Sequence, residues 1–400
     1  MTRQVSRRAE PGQVLSYFAA DPPTPPHLAI NQLTEHPPAD AATVEAFLAR
    51  HQVPIVEGRY CTFIYRGEAD EVRLVQRIVG LPGRLPMRRL PGTDVWHGVL
   101  DLPEGSRLDY QIETRRGDQV GCGNDALNPR RSHGPLGTSS VCFAHGYSTP
   151  EWTQPDPEAR PGELTELVID SRALGGDRSV TVYLPTGFRR SATYPLLVVH
   201  DGGDFLQYAA AKVVLDNLVH RREVASVVAA FLHPKDRLTE YADSAQHARF
   251  VTHELLPRLA AGFPLTVQRT GRCLLGSSFG AVASLSTAYR SPRTYGSLVL
   301  LSGSFVFAPD GTDHGGGPAF DPVVRFVNRY RRRPRYVADR LFAGCGQFEP
   351  LVVRNRAMEP VFESTGMAVR YVEAPDGHSW VNWRDRLRDA LSWVLPHAAG

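Results

Sequence analysis

From residue 59 onward, short apolar-alternating runs at 60–65, 72–79, 95–100 and 108–114 are separated by turns rich in Gly, Pro or Asp. Runs of that length and spacing predict a small β-sandwich. Beyond about residue 164 the texture changes: 180–184, 196–200, 224–232, 272–275, 297–301, 337–343 and 368–372 read as strands. Segments 209–221, 245–260, 281–290, 352–364 and 383–395 between them carry helical patterning. That alternation predicts a mostly parallel sheet with helices on both faces. The expected fold class is α/β, preceded by a small all-β, immunoglobulin-like sandwich.

Proline marks the boundaries. Pro22-Pro23-Thr24-Pro25-Pro26 and Pro37-Pro38 define a Pro-rich arm over 1–42, with a short helix expected at 43–51. The sandwich is expected over 43–148, and the Pro-rich stretch opening at Thr149-Pro150 sets a linker over 149–162. The α/β domain takes 163–400. No internal repeat is found.

The chain has 400 residues and a net charge of +3, which suits two soluble domains and gives no electrostatic case for nucleic acid. Residues 1–21 lack a continuous apolar stretch, so no secretory signal is expected. No apolar run is long enough to span a bilayer. The 5 cysteines are scattered, without metal-site spacing, which predicts neither a zinc site nor a disulfide scaffold and fits a reducing, cytoplasmic setting. Arg329-Tyr330-Arg331-Arg332-Arg333 is the densest basic cluster; it reads as a solvated helix end or as attraction for an anionic substrate.

Candidate chemistry centres on Gly276-Ser277-Ser278-Phe279-Gly280. An apolar strand precedes it and a helix-forming run follows, the context of a nucleophile elbow with Ser278 at its tip. A serine hydroxyl needs a base, an acid that orients the base, and an oxyanion hole. His378 lies just beyond the last expected strand and is the candidate base; His314 and His397 follow no strand. Two carboxylates compete as the acid. Glu349 follows the strand ending near Gly346 and approaches from a separate loop, whereas Asp376 is two residues from the histidine and suits a turn. The first favours Glu349. The backbone N–H of Phe279 is one expected oxyanion donor, and Gly202 or Gly203, after the strand ending at His200, is the other. Asp201 is expected to brace that loop.

These residues resemble the enterochelin (enterobactin) esterases of the esterase D superfamily. The matching pieces include the elbow, Leu301-Ser302-Gly303-Ser304, Gly346-Gln347-Phe348-Glu349-Pro350 and Gly377-His378-Ser379-Trp380. In the first half, the stretch from Met87 to Trp96 and Asn124-Asp125-Ala126-Leu127-Asn128-Pro129 also match. The resemblance implies Ser278 as nucleophile, Glu349 as acid, His378 as base and Arg237 as a substrate-side cation; a structural salt bridge of Arg237 with Glu240 or another carboxylate is the alternative reading. It implies a small-molecule ester substrate, an iron-loaded catecholate siderophore, with no cofactor and no resident metal. His200 stands where the family usually has leucine. A feruloyl, acetyl-sugar or other acyl esterase is the competing expectation, and a non-catalytic ligand-binding protein on the same fold is a third.

Overall fold

The structure, a computed structural model, describes residues 27–33, 39–308 and 314–397. The chain forms two units. The first comprises the residues up to Thr149 together with Gln347–Pro350 and Ala374–Gly377; the second takes Pro150–Gly346, Leu351–Glu373 and the chain from His378.

In the first unit a helix, α1 (Ala41–Arg50), is followed by ten strands: β1 (Ile55–Glu57), β2 (Tyr60–Arg66), β3 (Glu71–Val75), β4 (Arg84–Pro86), β5 (Arg88–Arg89), β6 (Val95–Asp101), β7 (Arg107–Arg116), β8 (Gln119–Gly123), β9 (Arg131–Gly134) and β10 (Gly137–Phe143). They build a four-stranded sheet in the order β1-β2-β6-β5 and a six-stranded sheet, β4-β3-β7-β10-β9, with β8 on β7. Phe63, Leu74, Trp96, Leu100, Leu108, Tyr110 and Cys142, drawn from both sheets, share one core. Inward-facing alternation along the strands produces that sandwich. Within the Asn124–Pro129 motif, Asp125 and Asn128 are buried and hydrogen-bonded: Tyr110 donates to Asp125 at 2.6 Å, and Asn128 donates to the Val141 carbonyl at 2.8 Å.

Most of the Pro-rich arm expected over 1–42 lies outside the described residues. Its described part is no loose arm. Leu28, Ile30, Leu33 and Ala39 are buried with Val44 and Phe47 of α1 against Ile64, Val95 and Val99. Those apolar positions are numerous enough to cover the outer face of the four-stranded sheet.

The second unit carries an eight-stranded sheet. Its strands are β11 (Glu163–Ser171), β12 (Gly176–Leu184), β13 (Leu196–Val199), β14 (Val228–Leu232), β15 (Arg272–Ser277), β16 (Ser297–Leu301), β17 (Arg340–Gly346) and β18 (Ala368–Ala374). The helices are α2 (Gly202–Tyr208), α3 (Ala211–His220), α4 (Arg237–Tyr241), α5 (Ala245–Arg249), α6 (Leu256–Gly262), α7 (Phe279–Arg290), α8 (Asp321–Arg332), α9 (Val352–Glu363) and α10 (Trp380–Val394). The strand order is β11-β12-β14-β13-β15-β16-β17-β18. β11 and β12 pair antiparallel, β12 joins β14 antiparallel, and β14, β13, β15, β16 and β17 run parallel.

The parallel strands β13, β15 and β16 are apolar almost throughout because both faces are covered. One face packs on α2, α3 and α10 through Phe205, Leu215, Trp383 and Leu391. The other packs on α4, α7, α8 and α9 through Tyr241, Val282, Phe326 and Met358. This is the α/β-hydrolase arrangement. The strand order reverses at β13, so the loops after β13 and β15 leave the sheet side by side, where open α/β sheets form their sites.

Two expectations change here. β11 is an edge strand with mostly exposed side chains, and charges such as Glu163, Glu166 and Asp170 hide it from hydropathy. The stretch expected as a linker over 149–162 is a packed strap from Pro150 onward. Asn217 of α3 donates to the carbonyls of Trp152 and Gln154 at 2.9 and 2.7 Å, and Gly162 N–H donates to Asp216 at 2.8 Å.

Candidate active site

The turn from β15 into α7 carries Ser278 at φ 55 and ψ −119, a conformation that L-residues seldom adopt. The neighbours make it possible. A Cβ on Gly276 would lie 2.2 Å from the Gly280 carbonyl, so only glycine lets the strand and helix cross this closely. The turn is held on three sides: Ser278 N–H donates to Leu301 at 2.9 Å, and the Ser278 carbonyl accepts from Ala281 and Ser304 at 3.2 and 3.1 Å. Ser277 points inward, its hydroxyl buried without a hydrogen-bond partner among the described residues. Ser278 is only partly buried, and its Oγ lies 3.1 Å from the Ser304 Oγ.

His378 sits between β18 and α10 and is exposed. Its ring stands edge-on to Trp383, 5.0 Å between centroids at 90°. Trp383 Nε1 donates to Ser302 Oγ at 2.8 Å, which joins the histidine loop to the strand neighbouring the elbow. Ser379 caps α10 by accepting from Asn382 N–H at 3.1 Å, fixing where the helix begins. Phe205 on Trp380, and Trp380 on Trp383, continue the aromatic packing back to α2.

The two candidate acids lie on the returning segments of the first unit. Glu349 is 1% exposed, and its neighbour Phe348 is built into that unit's core, with Val79 N–H donating to the Phe348 carbonyl at 2.7 Å. Asp376 is 3.4 Å from Arg107, whose guanidinium is buried and also binds Asp109 at 2.8 Å. It also accepts from Gly377 N–H at 2.6 Å.

Gly202 opens α2 and Phe279 opens α7, so both expected donors come from first turns, whose N–H groups have no intrahelical acceptor. A Cβ at Gly202 would lie 2.4 Å from the Phe231 backbone, so a side chain has no room there. Asp201 ahead of it is left-handed, φ 55 and ψ 41. Its carboxylate accepts two hydrogen bonds from Arg237, both 2.8 Å. Burial pushes the Asp201 carboxyl up from its ordinary range, against the pull of Arg237. Arg237, expected on the substrate side, is thus engaged with this carboxylate.

Other candidates are tied to local structure. His314 pairs with Asp321 at 2.8 Å at the start of α8. Within the basic cluster, Arg329 binds Asp243 at 2.9 Å and Arg331 lies 3.7 Å over the ring of Phe307. Sequence reasoning gave no role to Ser304 or Trp383. The signal was available: Ser302-Gly303-Ser304 follows the apolar β16 as the elbow follows β15. Among the described residues no group of His, Cys, Asp and Glu is arranged to hold a metal, and no helix is long and apolar enough to cross a membrane.

An α/β-hydrolase sheet with a strained serine at the strand-to-helix turn is the architecture of a hydrolase. Residues 171–394 match the putative esterase family, and the chain belongs to it. Iron(III) enterobactin esterase of Escherichia coli K12 is 24% identical over 329 residues, covering 76% of this chain and 80% of that enzyme. The Dickeya dadantii iron(III) enterobactin esterase is 23% identical over 77% of this chain and 79% of its own. The crystal structure of the Shigella flexneri enterobactin esterase in the presence of enterobactin superposes with a TM-score of 0.70 and 21% identity, over 90% of this chain and 99% of that one.

Proposed function

We propose that this esterase hydrolyses the ester bonds of an iron-loaded catecholate siderophore of the enterobactin kind, with Ser278, His378 and Glu349 as its triad. One observation carries the substrate. The match to the K12 iron(III) enterobactin esterase covers 76% of the chain, more than the span 171–394, so it reaches into the β-sandwich unit. Similarity of the hydrolase unit alone would fit many esterases.

In this reading His378 takes the Ser278 hydroxyl proton as Oγ forms a bond to the ester carbonyl carbon. Glu349 holds the imidazole tautomer and stabilises the imidazolium that results. The oxyanion is received by the N–H of Phe279 and by that of Gly202 or Gly203. Collapse breaks the ester C–O bond, and the leaving alkoxide takes the proton from His378. Water, deprotonated by the same histidine, then releases the acyl group and restores Ser278. Ser304, 3.1 Å away, gives the resting Ser278 hydroxyl a hydrogen-bond partner.

The test is side-by-side turnover of ferric enterobactin, methyl ferulate and p-nitrophenyl acetate, with products separated by chromatography. Linear serine–catechol products formed faster than ferulate is released support the siderophore reading. Rapid ferulate release without siderophore turnover would sink it.

A further inference from the structure

We propose that Arg237 is a positioning residue that acts through Asp201 to set the oxyanion loop, rather than a ligand for the substrate; this rests on the esterase reading of the site. Asp201 is the residue immediately before Gly202, and its left-handed backbone fixes the direction in which the Gly202 N–H leaves the sheet. A non-glycine residue holds that conformation only where its surroundings enforce it. Here they do so from three directions. Both carboxylate oxygens accept from Arg237 at 2.8 Å, with the Asp201 side chain 1% exposed. The Asp201 N–H donates to the Tyr241 hydroxyl at 3.0 Å. Behind it, the His200 N–H donates to Leu275 at 2.9 Å, in the strand that leads to Ser278.

The same guanidinium lies 5.8 Å over the rings of both Phe279 and Tyr241. One arginine therefore touches the residues behind both proposed oxyanion donors: Asp201 before Gly202, and the side chain of Phe279 itself. Its own position is set by the start of α4, where Asp236 accepts from Thr239 N–H at 3.3 Å and Glu240 accepts from Lys235 N–H at 3.1 Å. A bidentate fork cannot be reproduced by lysine, which offers a point charge in place of two parallel donors. Rotation of Asp201 out of its left-handed well would break both bonds and strand a buried carboxylate.

The test is steady-state kinetics on p-nitrophenyl acetate, a small neutral ester, and on the anionic p-nitrophenyl hemisuccinate. Arg237→Gln and Arg237→Lys should lower kcat about 10- to 100-fold on both esters with KM within about 3-fold, as expected when an oxyanion donor is misplaced. Tyr241→Phe, which deletes only the hydroxyl that accepts from Asp201, should lower kcat in the same sense with a normal folded circular dichroism spectrum. The pair Arg237→Gln with Asp201→Asn should be no worse than either single change, because both act through one interaction. An unchanged kcat on the neutral ester, with KM raised only for the anionic one, would overturn the proposal and return Arg237 to the substrate. Absence of ester turnover by the wild-type protein would instead overturn the esterase reading beneath it.

Discussion

Ser278 is held in a backbone conformation that costs free energy, and the cost is met by its neighbours. Gly276 admits the crossing with Gly280, and the Leu301, Ala281 and Ser304 backbone groups hold the turn. Gly276→Ala should destabilise the protein by about 2 kcal/mol or more, because the added methyl meets backbone that cannot yield. Urea unfolding checks this, with a shifted midpoint expected. Glu349 and Asp376 separate in a different way. Glu349→Gln should lower kcat by about 10³- to 10⁴-fold, the scale seen when a triad carboxylate is neutralised. Asp376→Asn should leave kcat within about 10-fold and lower the unfolding midpoint, because buried Arg107 loses a charged partner. The opposite pattern in a paired kinetic and unfolding comparison would exchange their roles. The sharp turn at Ser278 was legible from its flanking glycines. The pairing of Arg237 with Asp201 was not: nothing local connects the two, 36 positions apart.

At the scale of elements, the ends of β13, β15 and β16 deliver the Asp201–Gly203 loop, the Ser278 turn and the Ser302–Ser304 loop to one edge of the sheet. These strands were readable because both their faces are apolar. β11 was not, since an edge strand needs no apolar face toward solvent, and the strap after Pro150 was not, since its partners, Asn217 and Arg221 on Trp152, Gln154, Glu151 and Asp156, and Arg388 over the Trp152 ring, are distant in sequence. Burial of His200 has a physical consequence that only the fold reveals. His200 Nδ1 faces the Leu275 carbonyl at 3.2 Å and Ser284 Oγ at 3.0 Å, so that nitrogen carries the proton. Its bare Nε2 then accepts from His247 Nε2 of α5 at 3.0 Å. Protonating His200 sets two donors against each other. Burial holds His200 down to about 4 and His247 well below its ordinary value. Both groups bind protons more readily unfolded than folded, so their stability contribution is complete above about pH 6.5. It falls as the pH drops from there towards 4. For His200 alone the loss by pH 5 is about 2 kcal/mol. Thermal unfolding at pH 7 and pH 5 should show the lower value in acid, and His200→Leu should flatten the difference. An equal pH slope in that variant would assign the acid sensitivity to other groups, His247 and then His97 of the first unit, held down to about 4 by burial, being the next to replace.

Over the whole molecule, a sandwich ahead of a hydrolase sheet was legible from the change of period near residue 164. What local pattern could not reveal is that Gln347–Pro350 and Ala374–Gly377, embedded in the hydrolase sequence, are built into the sandwich unit. Phe348 looks like any loop aromatic until its burial among Ile78, Trp96 and Leu108 is seen. The central claim is narrower than either unit, namely that Ser278 is the nucleophile of an esterase. Its most direct test is reaction with a fluorophosphonate followed by peptide mass mapping of the wild type and Ser278→Ala. One phosphonate on Ser278, absent from the alanine variant, is the predicted result. A label on Ser277, or equal labelling of both proteins, would contradict it.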